Sequence, residues 1–368
     1  MPNNRILLLV NSVYQLLTAV HMKCTLLQEA AIDLLVSDIT PALKGYIPRL
    51  RGTGLFERVL FANVNDLNRS YPLTKLDALN EAFADSRRIF QWVLSDDLDV
   101  YDAVYFANFD LFTRMLANWY YAQLCEFVWF EDGFSSYVID YLKEDRAAVN
   151  RHREGRRIQD KVRRVLLYEP RLAMRGDGLL NCPLPKISRK DTAFRSLLNG
   201  IFDYHKPEDP ADFIFLEQSF RAEGIQSNDL ALMKECQETV GPGRFVVKPH
   251  PRNPENRPLQ MGLTRRYDGD APWELFLLNE GAADKTVLTV CSNGALTASL
   301  VFGMDMNTVM LYRLFDGKVL WKEDEILKRY LQTFQRQFAG KNYYVPQTVY
   351  ELQHILRYLG GQHGEQSH

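Results

Sequence analysis

Two short motifs carry residue types that can do chemistry: Glu131-Asp132-Gly133 and, well downstream, Lys248-Pro249-His250-Pro251. Each ends a strand-like apolar run, Phe127–Phe130 before the acids and Phe245–Val247 before the lysine. Ligand-binding groups of α/β proteins collect at strand C-termini. A carboxylate facing an imidazole across a cleft could deprotonate one group while assisting the departure of another.

On an extended strand Lys248 and His250 project from one face, and the prolines beside them end ladder pairing and stiffen the chain. The pair reads as an anion site. Adjacent residues on a strand alternate faces, so only one of Glu131 and Asp132 can reach the cleft, and Gly133 permits a tight turn and close approach of a substrate. An exposed acidic turn is the plainer alternative. A third strand end, Val287–Val290, runs through Cys291-Ser292-Asn293-Gly294 into a helical Ala295–Leu300. Ser292 or Asn293 suits the N-cap, and free N–H groups there suit a phosphate. Asn11, Ser12 and Gln15 follow the first strand and read equally as caps or substrate contacts. Pro272-Trp273-Glu274 opens another helix, where Pro and an early Glu are favoured on structural grounds alone.

Absences narrow the chemistry. Neither G-x-G-x-x-G nor G-x-x-x-x-G-K-[ST] occurs, which disfavours dinucleotide oxidoreductases and P-loop enzymes. No D-x-D cluster stands near the candidate site; Asp96-Asp97-Leu98-Asp99 precedes a strand instead. A metal-free reaction with a nucleoside monophosphate leaving group fits that pattern.

The elements that position these residues alternate. Strands are expected at Ile6–Val10, Asp33–Val36, Val59–Phe61, Ala103–Ala107 and Phe127–Phe130, with helices near 14–29, 73–93 and 109–124 between them. The rhythm stops after Tyr141 and resumes at Phe213–Leu216, Phe245–Val247, Val287–Val290 and Thr308–Leu311. Helical patterns near 226–238, 273–279, 294–303 and 323–335 accompany the later set. This is an α/β chain of two doubly wound halves with parallel sheets, joined within 185–212, where prolines cluster. Domains of 1–190 and 191–345 follow, then a helix over 346–360 expected to cross back to the first domain, and a disordered tail, 361–368.

With 368 residues, 46% hydrophobic and 24% charged, the chain has room for two cores. A net charge of −2 predicts no general nucleic-acid affinity. Five scattered cysteines without a C-x-x-C pair favour a reducing cytosol, and no apolar run approaches the ~20 residues of a membrane span. Segment 151–175 is rich in arginine. It reads either as a solvated helix face or as a patch for an anionic membrane surface or acceptor.

Glu131-Asp132-Gly133, Lys248-Pro249-His250-Pro251, Pro272-Trp273-Glu274, Ser292 and Tyr14-Gln15-Leu16, in that arrangement, resemble the bacterial sialyltransferases. The likeness is closest to glycosyltransferase family 52, which includes lipooligosaccharide sialyltransferases, with related patterns in families 38 and 80. The resemblance implies a GT-B fold of two Rossmann-like domains, CMP-sialic acid as donor, a glycan or glycolipid acceptor, inversion, and no metal or other cofactor. It implies a cytoplasmic enzyme, peripheral on the membrane at most, and dimers occur among such relatives. Asp132 matches the general base and Glu131 its acidic neighbour. His250 matches the histidine on the CMP phosphate, Lys248 a residue lining cytidine, and Glu274 a ligand of the ribose hydroxyls. Ser292 matches the first of two phosphate-binding hydroxyls; the chain departs at the second, Asn293, ahead of Gly294. Gln218 stands where relatives place a polar pair.

Two other readings use the same residues. A CDP-polyol phosphotransferase of the teichoic-acid type also combines this fold with a Lys-x-His-Pro element, but a second histidine would be expected where Cys291-Ser292-Asn293 stands. Kdo or another CMP-activated nonulosonate would satisfy the same contacts as sialic acid. A non-enzymatic nucleotide-binding subunit for capsule export is disfavoured by retention of both acid and histidine.

Overall fold

The computed structural model describes residues 4–72, 76–143, 157–207, 211–250, 252–253, 257–260, 262, 265–266, 272–318, 324–338 and 342–365. The chain divides into two compact units, residues 1–185 with 191–204, and 186–190 with 205–368.

The first unit is built on seven strands: β1 Arg5–Val10, β2 Ala31–Ser37, β3 Arg58–Ala62, β4 Ala103–Phe106, β5 Glu126–Phe130, β6 Val162–Leu167 and β7 Leu180–Pro183. They form one parallel sheet in the order β3-β2-β1-β4-β5-β6-β7. Ile6-Leu7-Leu8-Leu9-Val10 is buried throughout, as a strand covered on both faces must be. Helices such as Val13–Cys24 and Leu111–Trp119 connect the strands, and a parallel sheet requires such crossovers. At the sheet's N-terminal edge the buried Asp33 accepts from Arg58 (2.7 Å) and Tyr101 (2.7 Å), and these partners together hold its carboxyl below the usual range despite burial.

The second unit has a parallel sheet ordered β10-β9-β8-β11-β12-β13, with β8 Phe213–Leu216, β9 Phe245–Lys248, β10 Arg265–Arg266, β11 Thr286–Thr289, β12 Asn307–Met310 and β13 Tyr343–Tyr344. The chain is thus an α/β protein with two parallel sheets.

The nine expected strands are all present, and four more join them. β10 and β13 have two residues each, too few to show a period. β6 and β7 lie where the rhythm was expected to stop. The reason is visible in β6: Arg163 and Arg164 interrupt an apolar pattern, yet Arg164 pairs with Glu126 of β5 at 2.8 Å. The arginine-rich segment is therefore partly strand, not one helix face. Several of its described cations have local partners: Arg157 with Asp160, Arg171 with Glu169, Arg175 with Asp177, and Lys161 with the carbonyls of Tyr120, Tyr121 and Gln123. Arg151, Arg153 and Arg156 lie outside the described residues.

The domain limits also differ from expectation. Helix Thr192–Phe202 belongs to the first unit, where Phe202 meets Tyr46 (5.0 Å between rings) and Phe194 meets His21 (5.4 Å). The C-terminal helix, Val349–Glu365, runs through most of the supposed tail. It packs within the second unit: Leu352, Leu356 and Leu359 are fully buried, Gln353 donates to Glu235 (2.6 Å), and Arg244 donates to the Gly360 carbonyl (3.1 Å). No described helix is long and apolar enough to cross a membrane.

Candidate functional site

In each unit the singled-out residues lie at the C-terminal ends of the parallel strands. In the first unit β5 runs into Glu131 and Asp132, and Gly133 turns the chain with φ +71°, a conformation that costs any other residue. The two acids have opposite environments. Glu131 is fully buried and accepts from Tyr14 (3.0 Å), from the Tyr137 hydroxyl and from the Tyr168 amide (2.8 Å). Burial pushes its carboxyl up to about 7 even against those three donors. Asp132 is partly exposed; its Oδ2 accepts from Asn108 at 2.8 Å and its amide donates to Ser136 at 2.7 Å. The turn is held from behind as well, since buried Arg175 donates to the Ser136 carbonyl and lies over the Trp129 ring (4.9 Å).

Ser12 acts as the N-cap of Val13–Cys24, accepting from the Gln15 amide at 3.2 Å. Asn11 and Gln15 are buried, and both donate to Asn108 Oδ1, at 3.0 and 2.7 Å. Asn11 also donates to Asp110 (2.9 Å), whose carboxyl is raised by burial and which caps Leu111–Trp119 through the Thr113 amide (2.8 Å). The sequence reading missed Asn108, Asp110, Tyr137 and Tyr168, and gave Tyr14 only as part of the Tyr14-Gln15-Leu16 resemblance. Asn108 and Asp110 had a usable signal, because Ala107-Asn108-Phe109-Asp110 follows the apolar run of β4. Tyr137 and Tyr168 had none, since buried aromatic residues are the rule in such cores.

In the second unit Lys248 closes β9 and His250 follows it; both are partly exposed, and Pro251 lies outside the described residues. Glu217, buried at the end of β8, accepts from the His250 amide (2.9 Å) and from Arg221. His250 Nδ1 accepts from the Arg252 amide at 3.2 Å, which assigns the ring proton to Nε2. Burial, then the Arg252 charge, pushes His250 down to about 4, so the ring is neutral at pH 7. Asn253 turns back to donate to the Gln218 carbonyl at 2.9 Å.

Gln218 fixes the neighbouring strand end, accepting from the Cys291 amide (2.7 Å) and donating to its sulfur (3.2 Å). Thr289 Oγ1 donates to the Leu216 carbonyl (2.8 Å) and accepts from the Ser292 amide (3.2 Å). Asn293 holds the N-cap position of the seven-residue helix Gly294–Leu300 without a side-chain bond, and its Oδ1 is buried without a partner. Ser292 supplies the local turn instead, its hydroxyl accepting from the Gly294 amide at 3.3 Å. A Cβ on Gly294 would come within 3.0 Å of Leu216, and Trp273 Nε1 donates to the Gly294 carbonyl at 2.8 Å. Glu274, in the first turn of Trp273–Glu280, is raised by burial, with Lys248 acting in the opposite direction. Among the described residues no group of three or more His, Cys, Asp and Glu could hold a metal ion.

The structure thus gathers Asn11, Gln15, Glu131, Asp132 and Gly133 at one sheet edge, and Gln218, Lys248, His250, Ser292, Asn293 and Gly294 at another, with Glu274 sensing Lys248. No protein-family model matches the chain, and no curated protein matches it. Solved structures do match over nearly its whole length. Arabidopsis thaliana UGT89C1 complexed with quercetin is similar at 13% identity, over 99% of this chain and 90% of that one, with a TM-score of 0.53. A Listeria monocytogenes protein named as a UDP-N-acetylglucosamine 2-epimerase is similar at 11% identity, over 97% and 88%, also at 0.53. The 2,6-sialyltransferase of Photobacterium sp. JT-ISH-224, solved with CMP and lactose, matches at 12% identity over 93% and 78%, at 0.47. At such identities the likeness concerns the fold, which is GT-B: two Rossmann-like units.

Proposed function

We propose that the chain is an inverting glycosyltransferase that moves sialic acid from CMP-sialic acid to a terminal sugar, galactose, of a surface glycan. The observation that carries a transferase reading is the sorting of the two acids. Glu131 is sequestered by three donors, whereas Asp132 is partly exposed at a strand end and held by Asn108. That separation suits one carboxylate to structure and the other to general-base work. The donor's identity rests on the motif resemblance.

In this mechanism the acceptor hydroxyl attacks the anomeric carbon, Asp132 takes its proton, and the bond to the CMP phosphate breaks in the same displacement. A single displacement inverts the centre. Neutral His250 carries its proton on Nε2 and donates it as a hydrogen bond to the phosphate oxygen on which charge develops. Lys248 supplies positive charge, Ser292 a hydroxyl, and Glu274 binds the ribose hydroxyls. Such preorganised donors are typically worth ~3–4 kcal/mol each in the transition state.

The test is incubation with CMP-sialic acid, CDP-glycerol and lactose, in EDTA, followed by identification of the nucleotide released. CMP release that needs lactose, survives EDTA and disappears in Asp132→Asn is expected. Release of CMP from CDP-glycerol in place of CMP-sialic acid would move the assignment to polyol phosphate transfer.

A further inference from the structure

The chain of amides behind Asp132 has a direction built into it. The Asn11 backbone N–H donates to Gln15 Oε1 at 2.7 Å, which turns the Gln15 amide so that its Nε2 faces Asn108. Gln15 Nε2 (2.7 Å) and Asn11 Nδ2 (3.0 Å) then both donate to Asn108 Oδ1. An oxygen that accepts two hydrogen bonds fixes which end of the Asn108 amide is which, and Nδ2 is left facing Asp132 Oδ2 at 2.8 Å. Rotating Asn108 by half a turn would place an oxygen against a carboxylate and nitrogen against two donors. The backbone N–H at one end of this relay therefore dictates that Asp132 meets a donor at the other.

We propose that Asn108 is a positioning residue for the general base: its Nδ2 fixes the plane of the Asp132 carboxylate and favours the ionised form that accepts a proton. The inference rests on the reading of Asp132 as the base. A carboxylate that accepts a hydrogen bond titrates lower than one that does not. Among the described residues, the titratable or charged groups joined to this turn include Glu131 beside it, Asp110 one amide away on Asn11, and Arg175 on the Ser136 carbonyl, with Tyr14, Tyr137 and Tyr168 on Glu131. Asp110 shares the Asn11 amide with Asn108, so the Asp110 titration is followed alongside that of Asp132.

Two variants test the role. Asn108→Ala removes the donor. Asn108→Asp keeps the shape but sets an acceptor against Asp132, so the pair should titrate in two coupled steps. The Asp132 carboxyl is followed by carbon-13 NMR titration, its signal assigned by its loss in Asp132→Asn, with no donor or acceptor sugar present. Expected is an upward displacement of about one pH unit in Asn108→Ala and a larger one in Asn108→Asp. In transfer assays with CMP-sialic acid and lactose, kcat should fall ~10-fold or more with the KM for donor unchanged, and the acid limb of the pH profile should move up with the NMR value. An unmoved Asp132 titration in both folded variants would overturn the proposal, as would a moved titration with normal kcat. If the wild-type protein releases no CMP from CMP-sialic acid, the sialyltransferase reading fails, and the titration still decides whether Asn108 governs Asp132.

Discussion

His250 is neutral in the free protein, so its removal should weigh on turnover more than on nucleotide binding. A ground-state phosphate gains one hydrogen bond from Nε2, whereas the departing phosphate gains it as its charge grows. His250→Ala is expected to lower kcat ~100-fold while CMP affinity falls only a few-fold, measured by steady-state rates and calorimetric titration. Equal losses in CMP binding and kcat/KM with kcat intact would reduce the histidine to a nucleotide ligand. At this scale the two motifs were legible because strand ends, prolines and glycine punctuate them. Which acid faces solvent was not legible, because that depends on Tyr14, Tyr137 and Tyr168, which arrive from three separate segments. Alternation of faces said that one acid had to turn inward without saying which.

β5 and helix Val13–Cys24 carry two buried titratable groups that oppose one another. Glu131 ends the strand and is raised to about 7 by burial; His21, on the helix, is lowered to about 4 by burial. Tyr168 connects them, its amide on Glu131 and its ring stacked on His21 at 6.3 Å. A carboxyl raised by folding lends stability that is complete below about 4.5 and lost as pH rises through about 7. A histidine lowered by folding lends stability that is complete above 6.5 and lost as pH falls through about 4. Either displacement, roughly 2.5 pH units, amounts to ~3 kcal/mol. Their slopes cancel across the middle of that window. Melting temperature against pH should therefore gain a steeper acid-side fall in Glu131→Gln and lose it in His21→Leu. Identical profiles in wild type and both variants would show that neither group changes its protonation on folding. The strands of this unit were legible wherever apolar runs were unbroken. β6 was not, because its Arg164 pairs across to Glu126 of β5, and such a partner is invisible in sequence order.

Over the whole molecule, two parallel sheets could be inferred from the alternation of strands and helices, but the assignment of the ends to units could not. The pattern of Val349–Leu359 is amphipathic and does not say which surface it covers. Contacts with Glu235 and Arg244 place it in the second unit. Leu356→Ala should cost ~2–5 kcal/mol there, as for other fully buried leucines. Amide exchange should accelerate in β8, β9 and helix Asp229–Val240; if it accelerated in β1 to β5 instead, the placement of this helix would be refuted.

The chain also passes between its units three times, after Pro185, after Lys190 and after Tyr204. During synthesis the first unit is complete only when residue 204 has been added, after a strap belonging to the second unit has already been made. That strap waits: Lys186 donates to the Ser299 and Leu300 carbonyls, Ile187 to Val301, and Arg189 to Leu278, partners born about a hundred residues later. No single cut therefore yields two whole units. A fragment ending at residue 190 would lack helix Thr192–Phe202 and bare the apolar faces that helix covers. It should aggregate on release from the ribosome, while a fragment ending at residue 204 should stay monomeric in gel filtration; the reverse result would mean that the helix is dispensable to its unit.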